Sequence, residues 1–218
     1  MEHQVFSIAS EHLPKAGMTI STDARMGSIR SVNYFTLGAG TDISPERYDG
    51  PALYIGAFGC ACFTVGDDTR VRLHAGEALL VPGGTLCGMA VEGDEGFVYT
   101  EILWKEKENH MNNILKSADV FALKNMIDYE KGSIANIDLA SNKTMKFMIL
   151  SFDEGCALSE HRAPGDALVF ALEGKAVIGY EGKEYHIEEG QNFRFEKNGL
   201  HSVAADGRFK MALLLVLE

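Results

Sequence analysis

The chain has 218 residues, with an apolar share of 46%, 23 glycines and only 5 prolines, enough apolar surface for a packed core and too much for a disordered chain. Its 31 acidic against 20 basic residues give a net charge of −11, which repels phosphate backbones and anionic membrane surfaces. No dense run of Lys and Arg offsets it, so neither nucleic acid nor membrane is expected as a partner.

The first residues, Met-Glu-His-Gln-Val-Phe-Ser-Ile, lack a basic segment followed by a long apolar run. No uninterrupted apolar stretch approaches ~18 residues, so the sequence predicts a chain that is neither exported by this route nor membrane-spanning. Cys60, Cys62, Cys87 and Cys156 sit in apolar surroundings without a disulfide-framework spacing. They read as buried reduced thiols, which places the protein in the cytoplasm.

Taken in order, the chain repeats itself. Gly40, Gly50 and Gly59 recur as Gly155, Gly165 and Gly174 at a constant offset of 115. Between them, Gly50-Pro-Ala-Leu-Tyr-Ile-Gly-Ala-Phe-Gly59 matches Gly165-Asp-Ala-Leu-Val-Phe-Ala-Leu-Glu-Gly174 in length and apolar pattern. A turn follows in each half, then a strand leading to Ala75-Gly76-Glu or Glu189-Gly190-Gln. The second turn is one residue shorter, so the offset becomes 114 and Leu79–Cys87 falls on Phe193–His201. Each half closes with an apolar strand, Phe97–Trp104 and Met211–Leu217.

Short strands rich in Val, Ile, Phe and Tyr, separated by Gly/Asp turns about every ten residues, predict an all-β sandwich or barrel. A two-sheet jelly roll buries the inward residues of both sheets. Lys105–Lys116 is polar with apolar residues at Met111, Ile114 and Leu115, a spacing that predicts a short helix. A helical turn is expected at Leu123–Ile127, and strands resume near Ser133. The predicted organisation is therefore a first domain over 1–108 and a second over 109–218.

These residues resemble the cupin superfamily and, with two copies, a bicupin. Gly155, His161 and Gly174 match the spacing of the first cupin motif, and Gly190 and His201 match the second. The resemblance covers roughly residues 30–104 and 130–217. It implies two double-stranded β-helix (jelly-roll) barrels joined by the short helical linker. Edge strands of such barrels commonly pair, which implies packing of one barrel on the other and allows a homodimer.

In metal-binding cupins two histidines and a glutamate of the first motif converge with the histidine of the second on one divalent ion. This sequence keeps His161 and His201, but Ala163 stands at the other histidine position and Ala167 at the glutamate position. The first half holds Glu46, Tyr48, Ala52 and Cys87 at the four places. Two donors of mismatched hardness, Glu46 and Cys87, make a poor site, so the N-terminal barrel is expected to hold no metal. It reads as a structural or dimerising partner, or else as an apolar pocket lined by Tyr48, Tyr54 and Cys87.

For the C-terminal barrel two readings of the histidines stand side by side. In one, His161 and His201 hold a single divalent transition metal (Mn, Fe, Ni or Zn), with Asp166 or Glu160 as third ligand. Strict alternation turns both carboxylates outward unless a bulge at Ala163-Pro164-Gly165 re-aims one. In the other, the histidines line a metal-free pocket and hydrogen-bond a ligand or water. Ala163, Ala167, Phe170 and Arg162 complete the predicted pocket. Two function classes follow: a metal-dependent enzyme acting on a small polar or carboxylated molecule, or a non-catalytic small-molecule-binding protein of sensor or storage type.

Overall fold

The structure, a computed structural model, describes residues 4–26, 32–104 and 109–217. The first half comprises β1 (Val5–Phe6), α1 (Ile8–Glu11), β2 (Thr19–Asp23), β3 (Val32–Leu37), β4 (Asp42–Arg47), β5 (Ala52–Val65), β6 (Thr69–His74), β7 (Glu77–Val81), β8 (Leu86–Val91) and β9 (Phe97–Leu103). The second comprises β10 (His110–Met111), β11 (Val120–Ala122), a 3-10 turn at Leu123–Asn125, β12 (Ile134–Ser141), β13 (Met145–Phe152), β14 (Ala157–Arg162), β15 (Asp166–Tyr180), β16 (Lys183–Glu188), β17 (Asn192–Phe195) and β18 (Leu200–Val216). The protein is all-β with the jelly-roll pattern and almost no helix among the described residues.

The repeat is preserved strand by strand. The long strand β5 pairs first with β7 and β9 and then with β6 and β8. Its counterpart β15 pairs first with β17 and β18 and then with β16 and β18. Each long strand carries a register shift where it bends, between Gly56 and Phe58 and between Ala171 and Glu173. A bulge strengthens local twist and lets one strand serve two sheets. Gly59 and Gly174 follow at φ +66 and φ +78, and a Cβ at either would collide with the carbonyl of Gly96 or Arg208.

The sheet edges are exchanged between the halves. β1, at the start of the chain, pairs with β17 in the second half (Val5↔Phe193, Phe6↔Asn192). β11 pairs with β7 in the first half (Val120↔Leu79, Phe121↔Ala78). Val5-Phe6 and Val120-Phe121 lie at the repeat offset of 115, so the exchange is reciprocal. It covers two edges that would otherwise offer unpaired N–H and C=O groups.

Alternation along the strands builds three apolar clusters. One surrounds Tyr54, Phe63, Phe97 and Tyr99 inside the first half, and one surrounds Ile178, Phe193, Phe195 and Phe209 inside the second. The third joins the halves: Leu53, Ile55, Val98 and Ile102 meet Phe147, Ile149, Leu168 and Leu214. The central strands are thus covered on both faces, which is why Ala52-Leu-Tyr-Ile reads as a continuous apolar run. Each fully buried side chain of this size contributes about 1.5–3 kcal/mol, so the shared face is a large part of the stability.

Over 109–116, the described part of the range 105–116, the expected helix does not form. Residues 105–108 lie outside the described residues, and His110–Met111 instead pairs as β10 with Ser141 and Ala140. Asn112 explains the change: its Nδ2 donates to the Asp138 carbonyl and its Oδ1 accepts from the Ile114 amide. Asparagine side chains compete with helical backbone bonding in this way. The expected turn near Leu123 is the 3-10 turn, with Leu123 fully buried. All four cysteines are free thiols, but only Cys87 is buried; Cys60 and Cys62 on β5, and Cys156 in the turn before β14, are partly exposed. No helix among the described residues is long and apolar enough to cross a membrane.

The shared core makes a stability prediction. Leu123→Ala removes a fully buried side chain from the face joining the halves, so urea unfolding should show a loss of about 2–5 kcal/mol. The transition should stay single, because neither half has its own complete core; two resolved transitions in the parent protein would contradict that dependence.

Candidate functional site

The site positions inferred from the repeat are cross-strand neighbours in both halves. His161 on β14 pairs with His201 on β18, and Glu46 on β4 pairs with Cys87 on β8. In each case the register shifts just before the first residue, between Leu158 and His161 and between Ile43 and Glu46. The bulge therefore lies at Ser159-Glu160, not at the expected Ala163-Pro164-Gly165. Pro164 and Gly165 instead turn the chain from β14 into β15, Gly165 lying against the Val216 carbonyl.

The two imidazoles sit 4.2 Å apart between ring centroids, tilted by 52°. His161 is exposed, whereas His201 is 8% exposed and lies 4.1 Å from the Phe195 ring. His161 Nδ1 bonds the Ser159 carbonyl at 2.8 Å, and His201 Nδ1 bonds the Gly199 carbonyl at 3.1 Å. A neutral ring donating through Nδ1 presents its Nε2 lone pair as acceptor or ligand. Burial holds the His201 imidazole below the usual histidine range; the Gly199 bond opposes this and the charge of His161 adds to it.

The other predicted residues divide. Ala163 and Ala167 are buried in the same apolar cluster as Tyr180, Phe193 and Phe195. Arg162 is exposed and donates to the Asn198 carbonyl at 2.7 Å. Phe170 belongs to the face between the halves, because it lies three residues beyond Ala167 and alternation turns it to the opposite side of β15. Asp166 Oδ1 accepts from the Lys197 amide at 2.9 Å, and Oδ2 lies 3.8 Å from Arg194. Glu160 is exposed. Among the described residues no three His, Cys, Asp or Glu side chains gather as a metal site. The pair thus has the right ring orientation for a metal but too few donors: two imidazoles do not make a closed or catalytic set.

The first half differs more than its sequence suggested. The Tyr48 hydroxyl lies 3.1 Å from Glu46 Oε2 and 3.3 Å from Glu101 Oε2, between two carboxylates. Burial, then the Glu101 charge and the bond to Glu46, push its phenol well above the tyrosine range. Glu101 is 3% exposed and shares the interior with Tyr54, Tyr99 and Cys87. Burial pushes the Cys87 thiol up to about 11, against a bond from the Tyr54 hydroxyl. The Tyr99 hydroxyl is buried with no hydrogen-bond partner among the described residues. Ala52, at the fourth of the positions inferred from the repeat, is 2% exposed, and sequence reasoning missed Glu101 and Tyr99. The available signal was a charged residue within Phe97-Val-Tyr-Thr-Glu-Ile-Leu, a strand with apolar residues on both faces.

The depressed His201 value has a measurable consequence. The unfolded chain takes up the proton first as pH falls, so stability from this group is complete above about pH 6.5 and is lost below it. Burial lowers His12 in the same direction. The melting temperature should therefore fall between about pH 7.5 and about pH 5.5, and His201→Gln should make the fall shallower. An unchanged slope in that variant would show that His201 is not held neutral.

Residues 148–217 match the Cupin_2 family, described as a cupin domain. Among solved structures, a Cupin 2 conserved barrel domain protein from Leptotrichia buccalis is similar over 97% of this chain and 95% of its own, at 23% identity and a TM-score of 0.83. Salicylate 1,2-dioxygenase from Pseudoaminobacter salicylatoxidans, in a structure of adducts with gentisate, covers 94% of this chain and 76% of its own at 13% identity and a TM-score of 0.66. Oxalate decarboxylase from Bacillus subtilis, a protein with Mn(II) centers, covers 100% and 78% at 13% identity and a TM-score of 0.55. No curated protein matches the chain. Identities this low speak to fold and leave the activity open. Residues 148–217 match a cupin domain, and the chain as a whole has the cupin fold.

Proposed function

We propose that the protein is a bicupin, with a barrel in each half, whose C-terminal barrel binds a small polar molecule at the His161–His201 pair. The observation that carries this reading is the orientation of the rings. Both Nδ1 atoms are engaged by backbone carbonyls, so two imidazole Nε2 atoms are left for a ligand at the rim of one barrel. A neutral pair accepts hydrogen bonds from a hydroxyl or amine of the ligand, and once protonated it donates to a carboxylate. The solvent-exposed His161 gives access, while His201 against Phe195 gives an apolar wall.

Each barrel is built from its own half and closed at one edge by the strand exchanged from the other. A resident divalent ion is the second reading, favoured by the same ring orientation and by the Mn(II) centers of the oxalate decarboxylase that shares the fold. The donor count weighs against it. A homodimer through the remaining edges is compatible with both readings.

Metal analysis of protein purified without chelator separates them. We expect less than roughly a tenth of an equivalent, and no rise in melting temperature on adding Mn, Fe, Ni or Zn. Near-stoichiometric metal that disappears in a His161→Ala, His201→Ala double variant would replace the metal-free reading with the metal-dependent one.

A further inference from the structure

A cavity of about 290 Å³ lies where the two halves meet, away from the histidine pair. Its walls come from repeat-equivalent residues: Ile8 and Leu123, Ile55 and Phe170, Ala57 and Leu172. The last pair is the residue skipped by each register shift, Ala57 between Gly56 and Phe58 and Leu172 between Ala171 and Glu173. Both bulges therefore open onto one space. Bulges are conserved devices that re-aim side chains beside functional sites more often than chance allows.

One polar group breaks this symmetry. Thr100 is 1% exposed and lines the cavity, and its Oγ1 has no hydrogen-bond partner among the described residues. Thr100 pairs with Ile55 across β9 and β5; at the equivalent place in the second half Ala212 pairs with Phe170. An apolar residue thus suits this position, yet a hydroxyl stands there. Buried polar groups are almost always partnered, so an orphaned hydroxyl facing a cavity asks for a partner from outside the chain.

The other polar side chains of the wall hold bonds within the chain, Gln191 accepting from the Glu188 amide through its Oε1. Asn192 accepts from the Ile8 amide and donates to the Val169 carbonyl. Lys124 at the wall is paired with Glu189 at 3.3 Å. No uncompensated charge therefore faces the space, which selects against an ionic ligand. The volume lies near the lower end of small-molecule sites.

We propose that this cavity binds an uncharged, largely apolar molecule of one ring or a short branched chain, carrying a single hydrogen-bonding oxygen that meets Thr100. The site is independent of His161 and His201. Its recognition logic is that of a mostly apolar pocket with one placed polar group.

Benzyl alcohol and ethylbenzene, which differ by a hydroxyl in place of a methyl, test it by methyl NMR titration of the full chain. Benzyl alcohol should move the methyl signals of Thr100, Ala57, Leu172 and Ile55. The ratio of its affinity to that of ethylbenzene should fall at least about threefold in Thr100→Val, because that variant keeps the shape and removes the hydroxyl. The ligand-free Thr100→Val protein should also melt at a higher temperature than the parent, since a hydroxyl without a partner is replaced by a methyl. Ala57→Leu, which fills the space from the bulge, should abolish binding of both probes. Binding should persist in the His161→Ala, His201→Ala variant, which separates this site from the histidine pocket. Shifts mapping elsewhere, no saturable shift at the solubility limit of either probe, or an unchanged affinity ratio in Thr100→Val would each overturn the proposal.

Discussion

The reciprocal exchange of edge strands is the contact on which the rest of the molecule depends. Without β11 the edge of β7 would lie open, and without β1 the edge of β17 would. An open edge beside an apolar face is a site for pairing with another chain. The exchange removes that hazard and carries Ile8 and Leu123, the residues after each short strand, into the cluster that joins the halves. Edge pairing and core formation are therefore coupled. A strand of two or three residues contributes few hydrogen bonds, so it is held by the buried side chain that follows it more than by the ladder itself.

On this common frame the two halves have been given opposite interiors. Where the first half places Tyr54, Tyr99 and Glu101 inward, the register of β15 and β18 places Val169, Met211 and Leu213. The second interior is apolar and aromatic, with the Tyr180 hydroxyl bonded to the Glu196 amide and the histidine pair as its polar groups. The first buries a carboxylate and two phenols, which is unfavourable in an apolar medium unless hydrogen bonds compensate. The Tyr48 hydroxyl between Glu46 and Glu101 supplies part of that compensation. Divergence of this kind leaves the backbone unchanged, since it exchanges side chains at positions whose direction the pleat has already set.

Much of the architecture was legible because it rests on spacing. The offset of 115 located the repeat, and the cross-strand pairs His161↔His201 and Glu46↔Cys87 confirm the register drawn from it. What failed depends on local competition that spacing does not record. Asn112 captures the Asp138 carbonyl with its side chain, so an amphipathic pattern did not become a helix. The bulge settled at Ser159-Glu160, although Pro164 and Gly165 carry the stronger turn chemistry. Phe170 was assigned to the wrong face, although its odd separation from Ala167 contained the answer. Val5-Phe6 and Val120-Phe121 repeat at the same offset, but two residues are too few to reveal a strand without the sheet they join.

The histidine pair shows how orientation and donor count can disagree and which of them is informative. Each ring is turned by a carbonyl two residues earlier in the chain, Ser159 for His161 and Gly199 for His201. The tautomer and direction of both rings are therefore local properties of β14 and the start of β18, and they need no ion to hold them. A site whose ring orientation depended on coordination would lose it with the ligand set; this one keeps it with Ala163 and Ala167 where further donors would stand. Orientation set by the backbone leaves both Nε2 atoms placed before any partner arrives, which serves a hydrogen-bonded ligand and a metal ion alike.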